Sequence, residues 1–154
     1  QAVPYGQLGT IAGGRVYFEA VISKCHTVNS VFAGKNYTSL PRTDIIYTHC
    51  DDDGVLIEAA VNAGAQGIIY AGSGMGSIHC GAEAALLKAV QRGAAVVRST
   101  RVSEGRVLPA NPKWEAAGFI SGGNLNPQKA RILLQLALTE TKDPARLQQI
   151  FDEY

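Results

Sequence analysis

Apolar residues along the chain fall into two alternating spacings. Three short, nearly unbroken apolar runs, Asp44-Ile45-Ile46-Tyr47-Thr48, Gly67-Ile68-Ile69-Tyr70-Ala71 and Ala94-Ala95-Val96-Val97, have the length and β-branched content of buried strands. Between them, apolar residues recur at steps of three and four. Val55, Leu56, Ala59, Ala60 and Ala63 form one such stripe over 53 to 63, and Ala82, Ala85, Leu86, Ala89 and Val90 form another over 82 to 92. Gly64 and Gly93 suit the ends of these helices, and Asp51, Asp52 and Asp53 sit at the positive start of the first. Strand, helix, strand, helix, strand predicts a small parallel sheet with right-handed crossovers and helices on both faces, a three-layer α/β/α sandwich.

The flanks read differently. A short β segment over 16 to 22 follows the turn signal Gly13-Gly14, and a polar, irregular linker over 25 to 42 leads through Pro41 into the first buried strand. Residues 101 to 117, with Pro109 and Pro112, read as a long loop. Asn126-Pro127 is an N-cap followed by proline at the first helical position, and the helix runs to about Thr139. Only Gln128, Arg131 and Gln135 form a polar strip on it, so burial on most sides is expected, in part by another subunit. Asp143-Pro144 repeats the cap for a last helix with Leu147, Ile150 and Phe151 turned inward.

Composition narrows the function classes. Of 154 residues, 46% are hydrophobic and 18% charged, and 14 basic against 13 acidic residues leave a net charge of +1. This is a globular composition with no basic surplus for nucleic acid or an anionic membrane, and no apolar run has the roughly 18 to 20 residues of a membrane helix. No secretory signal pattern follows Gln1. Three cysteines are too few for a disulfide framework.

The most site-like feature is the loop Gly72-Ser73-Gly74-Met75-Gly76-Ser77, between a strand and a helix. Ligands of open α/β sheets bind at the carboxyl ends of strands, and glycines there admit close backbone approach. A dinucleotide fingerprint requires a third glycine at Ser77 and an acidic residue after the next strand, where Arg98 stands. A tight turn, or a loop touching a small carboxylate-bearing ligand, fits better. Cys25-His26, His49-Cys50 and His79-Cys80 invite a zinc site. Neighbours in extended chain point apart, however, and the spacing is not that of zinc ligands, so no metal is expected and Cys50 and Cys80 read as small buried hydrophobes. Ser73 is not in a nucleophile elbow, because Ala71 and Met75 stand where that motif has glycines. The run Asp51-Asp52-Asp53 reads as a solvated helix start rather than a metal cluster.

Several stretches resemble type II L-asparaginases and glutaminase-asparaginases. Gly122-Gly123-Asn124-Leu125-Asn126-Pro127 continuing to Leu134, Thr141-Lys142-Asp143-Pro144 and Ile150-Phe151-Asp152-Glu153-Tyr154 resemble that family's C-terminus. Val96-Val97-Arg98-Ser99-Thr100-Arg101-Val102 and Leu40-Pro41-Arg42-Thr43-Asp44-Ile45-Ile46-Tyr47 match it too, and Tyr5-Gly6 and Leu8-Gly9 are similar to pairs near the end of its N-terminal domain. The resemblance implies that residues 1–40 are the end of an N-terminal domain plus linker and 41–154 the C-terminal domain. It implies deamination of L-asparagine, and of L-glutamine, by acyl transfer from a nucleophilic threonine, without a cofactor.

That threonine, and a second one with its aspartate and lysine, would lie upstream of Gln1, so no catalytic residue falls in this chain. The resemblance gives this part the interface of a homo-oligomer, a tetramer built as a dimer of intimate dimers, and a contact with substrate in the neighbouring subunit through Ser77. Met75 stands where the family has Asn, and the family's C-terminal glutamate falls near Asn111 or Pro112, neither of them acidic. A periplasmic or secreted location is implied, with the protein's own N-terminal domain as partner. The alternative is a non-catalytic module for a small acidic ligand or for association.

Overall fold

The computed structural model describes residues 6–154, so Tyr5 of the Tyr5-Gly6 pair lies outside the described residues. Two compact units are present: residues up to 35 together with Glu153 and Tyr154, and residues 36 to 152.

In the first unit, β1 (Gly9–Ala12) and β2 (Arg15–Phe18) pair antiparallel across the Gly13-Gly14 turn. The β segment expected over 16 to 22 therefore ends at Phe18, and its partner is the preceding stretch. β2 is exposed along its whole length. Farther on, the Tyr154 hydroxyl lies 2.7 Å from Ser30 Oγ and accepts from Val31 N–H at 2.9 Å, while its ring sits 5.5 Å from that of Phe32.

The second unit holds a four-stranded, fully parallel sheet in sequence order: β3 (Thr43–Tyr47), β4 (Gly67–Gly72), β5 (Ala95–Thr100) and β6 (Ile120–Ser121). The helices are α1 (Val55–Asn62), α2 (Cys80–Gln91), α3 (Pro112–Ala116), α4 (Pro127–Glu140) and α5 (Pro144–Glu153). Strand side chains alternate between faces. Ile46, Ile68, Tyr70 and Val96 join Ile57 and Ala60 of α1 and Ala82, Ala85, Leu86 and Ala89 of α2 in one cluster. Gly67, next to Ile68, faces the other way, and a Cβ there would stand 2.7 Å from Leu134 of α4. Right-handed crossovers that all step in one direction put α1 and α2 on one face and leave the other for α4.

The differences from expectation have local causes. The fourth strand, β6, has two residues and no pattern of its own, and α3, a single turn, lies inside the expected loop. In α1 the buried residues are Ile57 and Ala60, while Val55 and Leu56 are 58% and 53% exposed. The segment Val-Leu-Ile-Glu-Ala-Ala-Val-Asn is apolar nearly all round, so its period does not choose a face. The polar strip of α4 is largely drawn inward. Gln135 is buried and donates to Pro41 O at 3.2 Å, and Arg131 Nε donates to Thr43 O at 2.7 Å, so both hold the edge strand. Of α4's large apolar residues, Ile132 stays outside, 51% exposed. At the opposite edge the Gln148 amide accepts from Ser121 N–H at 2.8 Å and donates to Ser121 O at 3.3 Å, satisfying the free edge of β6.

Candidate functional site

Because the four strands are parallel, every strand-to-helix loop leaves from one edge of the sheet. Side chains at that edge tie the loops together. Tyr70, near the end of β4 and fully buried, donates to Asp52 Oδ2 at 2.8 Å and lies 2.9 Å from Thr48 Oγ1. Asp52 Oδ1 accepts from Gly54 N–H at 3.1 Å. The middle residue of the acidic run is thus 3% exposed, where a solvated helix start was expected. Asp51 and Asp53 are exposed as expected, and Asp53 accepts from Val55 N–H at 3.0 Å.

His79, the N-cap of α2, sets its Nδ1 2.8 Å from Asp52 O and 3.2 Å from Gly81 N. One nitrogen cannot donate and accept at once. The shorter contact, to a carbonyl, puts the proton on Nδ1.

Burial, more than any hydrogen bond, raises the Tyr70 hydroxyl above its ordinary value, and the Asp52 charge pushes the same way. A pKa raised by folding adds stability that is complete below the unfolded value, about 10, and is lost as pH rises past it. Denaturation midpoints measured between about pH 8 and 11 should therefore fall more steeply in the wild type than in Tyr70→Phe. The variant should start roughly 1–3 kcal/mol lower at neutral pH, because Asp52 Oδ2 loses its partner. Parallel curves would refute this.

The Gly-rich loop is held by consecutive carbonyls. Thr100 Oγ1 donates to Gly74 O, Arg98 Nη2 to Met75 O at 3.3 Å and Arg98 Nε to Gly76 O at 3.2 Å. Ser77 N–H closes the turn onto Ser73 O at 2.9 Å. Ser77 itself is exposed, and Met75 is 53% exposed beside it. Arg98 Nη1 also donates to Leu108 O at 3.1 Å, and its guanidinium lies 4.7 Å from the Trp114 ring centroid. Burial lowers the Arg98 pKa while Glu115 opposes the shift. Trp114 Nε1 and Lys113 Nζ both meet Glu83 Oε1 at 2.9 Å, and the contact with Lys113 leads in holding that carboxyl below its ordinary value.

Asn111 caps α3, with Oδ1 accepting from Lys113 N–H at 3.0 Å. Arg98 thus joins the loop of Met75 and Ser77 to the segment three residues before Asn111. Sequence reasoning passed over Arg98 and Tyr70. The signal available was an arginine directly after the apolar run 94 to 97, since a charge carried on into the sheet needs buried acceptors.

Cys50 and Cys80 are exposed, not buried as expected, because each stands in or beside a loop at the sheet's edge. Among the described residues no group of three or more His, Cys, Asp or Glu is arranged to hold a metal ion, and no helix is long and apolar enough to cross a membrane.

Residues 42–151 match the family model described as the glutaminase/asparaginase C-terminal domain. L-asparaginase 2 of Bacillus subtilis is 46% identical over 149 residues, covering 97% of this chain and 39% of that protein. A protein of Haemophilus influenzae named probable L-asparaginase periplasmic is 42% identical, covering 97% of this chain and 43% of its own length. The crystal structure of a probable cytoplasmic L-asparaginase from Campylobacter jejuni superposes with a TM-score of 0.91 at 44% identity, over 97% of this chain and 49% of that one. The chain therefore spans less than half the length of these relatives.

Proposed function

Because the chain belongs to the glutaminase/asparaginase family through its C-terminal domain, we propose that it is the C-terminal part of an amidohydrolase that deaminates L-asparagine and L-glutamine. Residues 41–154 are the C-terminal domain in this reading, and 1–40 are the end of an N-terminal domain plus linker. A threonine outside this chain attacks the side-chain amide carbon and gives up its hydroxyl proton, and the carbon–nitrogen bond breaks as the amide nitrogen takes a proton and leaves as ammonia. Water then cleaves the acyl ester, releasing aspartate or glutamate and restoring the hydroxyl. This chain supplies a secondary contact with substrate in the neighbouring subunit and part of the surface of a homo-oligomer, a dimer of intimate dimers. One relative is named a probable periplasmic L-asparaginase and another a probable cytoplasmic one, so the family includes names for both compartments.

The observation that carries the proposal is the fixed Gly-rich loop, which exposes Ser77 beyond three held carbonyls at the carboxyl edge of a parallel sheet. Exposed apolar residues in the loops of that edge and the start of α1, Met75, Leu108, Val55 and Leu56, suit a covered surface better than a solvated one. Met75 flanks the contact. Asn111 takes the place of an acidic group, and its side-chain oxygen is engaged in capping α3.

Ser77 has room for the longer amide. Ser77→Asn, in the protein joined to its upstream half, should lower glutamine turnover relative to asparagine by roughly tenfold. That is the low end of what one methylene in a pocket discriminates. The measurement is the ratio of kcat/KM values for the two amides. A ratio that is unchanged, or moved toward glutamine, removes Ser77 from the substrate pocket.

A further inference from the structure

Arg98 is 2% exposed in the middle of the sheet, and the two residues that follow it also reach loops. Ser99 Oγ donates to Leu125 O at 3.1 Å, on the other face, and Thr100 Oγ1 donates to Gly74 O. Taking a guanidinium out of water is costly unless its donors are met. Here the planar fork meets three carbonyls on two separate loops, those of Met75, Gly76 and Leu108, with Trp114 against its face. Its chain neighbour Val97 is buried without any such role, so the position does not need a charge merely to fill the core.

We propose that Arg98 is the positioning residue of the candidate site: one buried guanidinium that holds the Gly-rich loop and the 107–111 segment in a single mutual geometry, and with it the aim of Ser77. The kinetic part of this rests on the amidohydrolase reading, and the structural part does not. Arg98→Lys keeps the charge but not the fork, because an ammonium group cannot reach both loops in one plane.

Two measurements test it. In the 154-residue chain, amide hydrogen exchange is followed at Ser77 and Val107, whose N–H groups donate to Ser73 O and Gly123 O. Ile68 in β4 is the reference, and Val97→Ala is the control that removes packing without touching either loop. Exchange at Ser77 and Val107 should rise together by about tenfold or more in Arg98→Lys and Arg98→Met, with Ile68 unmoved, consistent with local rather than global opening. Should Arg98→Met fail to fold, Arg98→Lys decides. Protection retained at both amides, or lost only in step with Ile68, overturns the proposal.

In the protein carrying the upstream half, Arg98→Lys should raise KM by about tenfold with kcat within about twofold, because misplaced contacts weaken binding. A merely destabilising change lowers the active fraction, and so kcat, while leaving KM alone; that result overturns the positioning role. If the unsubstituted longer protein has no amidase activity, the amidohydrolase reading fails and the exchange result alone decides Arg98.

Discussion

The purified 154-residue chain should release no ammonia from L-asparagine or L-glutamine above a boiled control. Acyl transfer needs a hydroxyl beside a base, with donors waiting for the oxyanion. Among the described residues, the one contact between a Ser or Thr hydroxyl and an imidazole joins the neighbours His26 and Thr27 at 3.1 Å, on the surface. The Tyr70–Asp52 pair is closed to substrate, with exposures of 0% and 3%. Ser77 is open, but its hydroxyl bonds to no base among the described residues. Losing the nucleophile alone costs a hydrolase on the order of 10⁶ in kcat, so the expected rate lies below ordinary detection. Ammonia release above the control would place a working nucleophile within this chain and overturn the reading of it as an accessory half.

Gly72→Ala should damage both stability and site, while Gly74→Ala, two residues on in the same loop, should do far less. A Cβ at Gly72 would stand 2.3 Å from Ser77 O and 2.8 Å from Gly76 C, both backbone atoms that cannot swing aside. The loop would have to lift off the strand, against the hydrogen bonds from Arg98 and Thr100. Overpacking of this kind costs typically 1–3 kcal/mol, and Gly72 belongs near the top of that range. At Gly74 nothing lies within 4 Å, and the cost is only that of a φ of +50° for an alanine, about 1 kcal/mol. Denaturant midpoints of the two variants, measured side by side, decide it. Equal losses would mean that the loop is not pinned at Gly72.

The core of the fold was readable because strands buried on both faces have little choice of residue. Ile68, Ile69 and Tyr70 announce β4, and the Ala82, Ala85, Leu86, Ala89 stripe fixes the inner face of α2. Legibility failed where a segment's structure depends on distant partners. β6 is a strand because Val97 and Arg98 offer it a ladder, and two residues carry no period of their own. The inner face of α1 depends on where α2 lies. Asp52 looked like a surface carboxylate because its partner, the Tyr70 hydroxyl, comes from 18 residues away. The Gly-rich loop was legible as a site by composition. What holds it was not, since Arg98 acts through backbone carbonyls that carry no sequence signature.

The sheet's strand order bears on how the chain emerges from the ribosome. Since β3, β4, β5 and β6 lie side by side in the order they are made, each new strand finds its partner as the edge already waiting, after a crossover of modest length. The sheet can grow by accretion, with α1 and α2 covering one face as they appear. The other face, carrying Ile69 and Val97, stays bare until α4 is synthesised, after all four strands. A ribosome-stalled chain ending before Asn126 would thus present a half-clad sheet, the species a chaperone that captures apolar surface would hold longest.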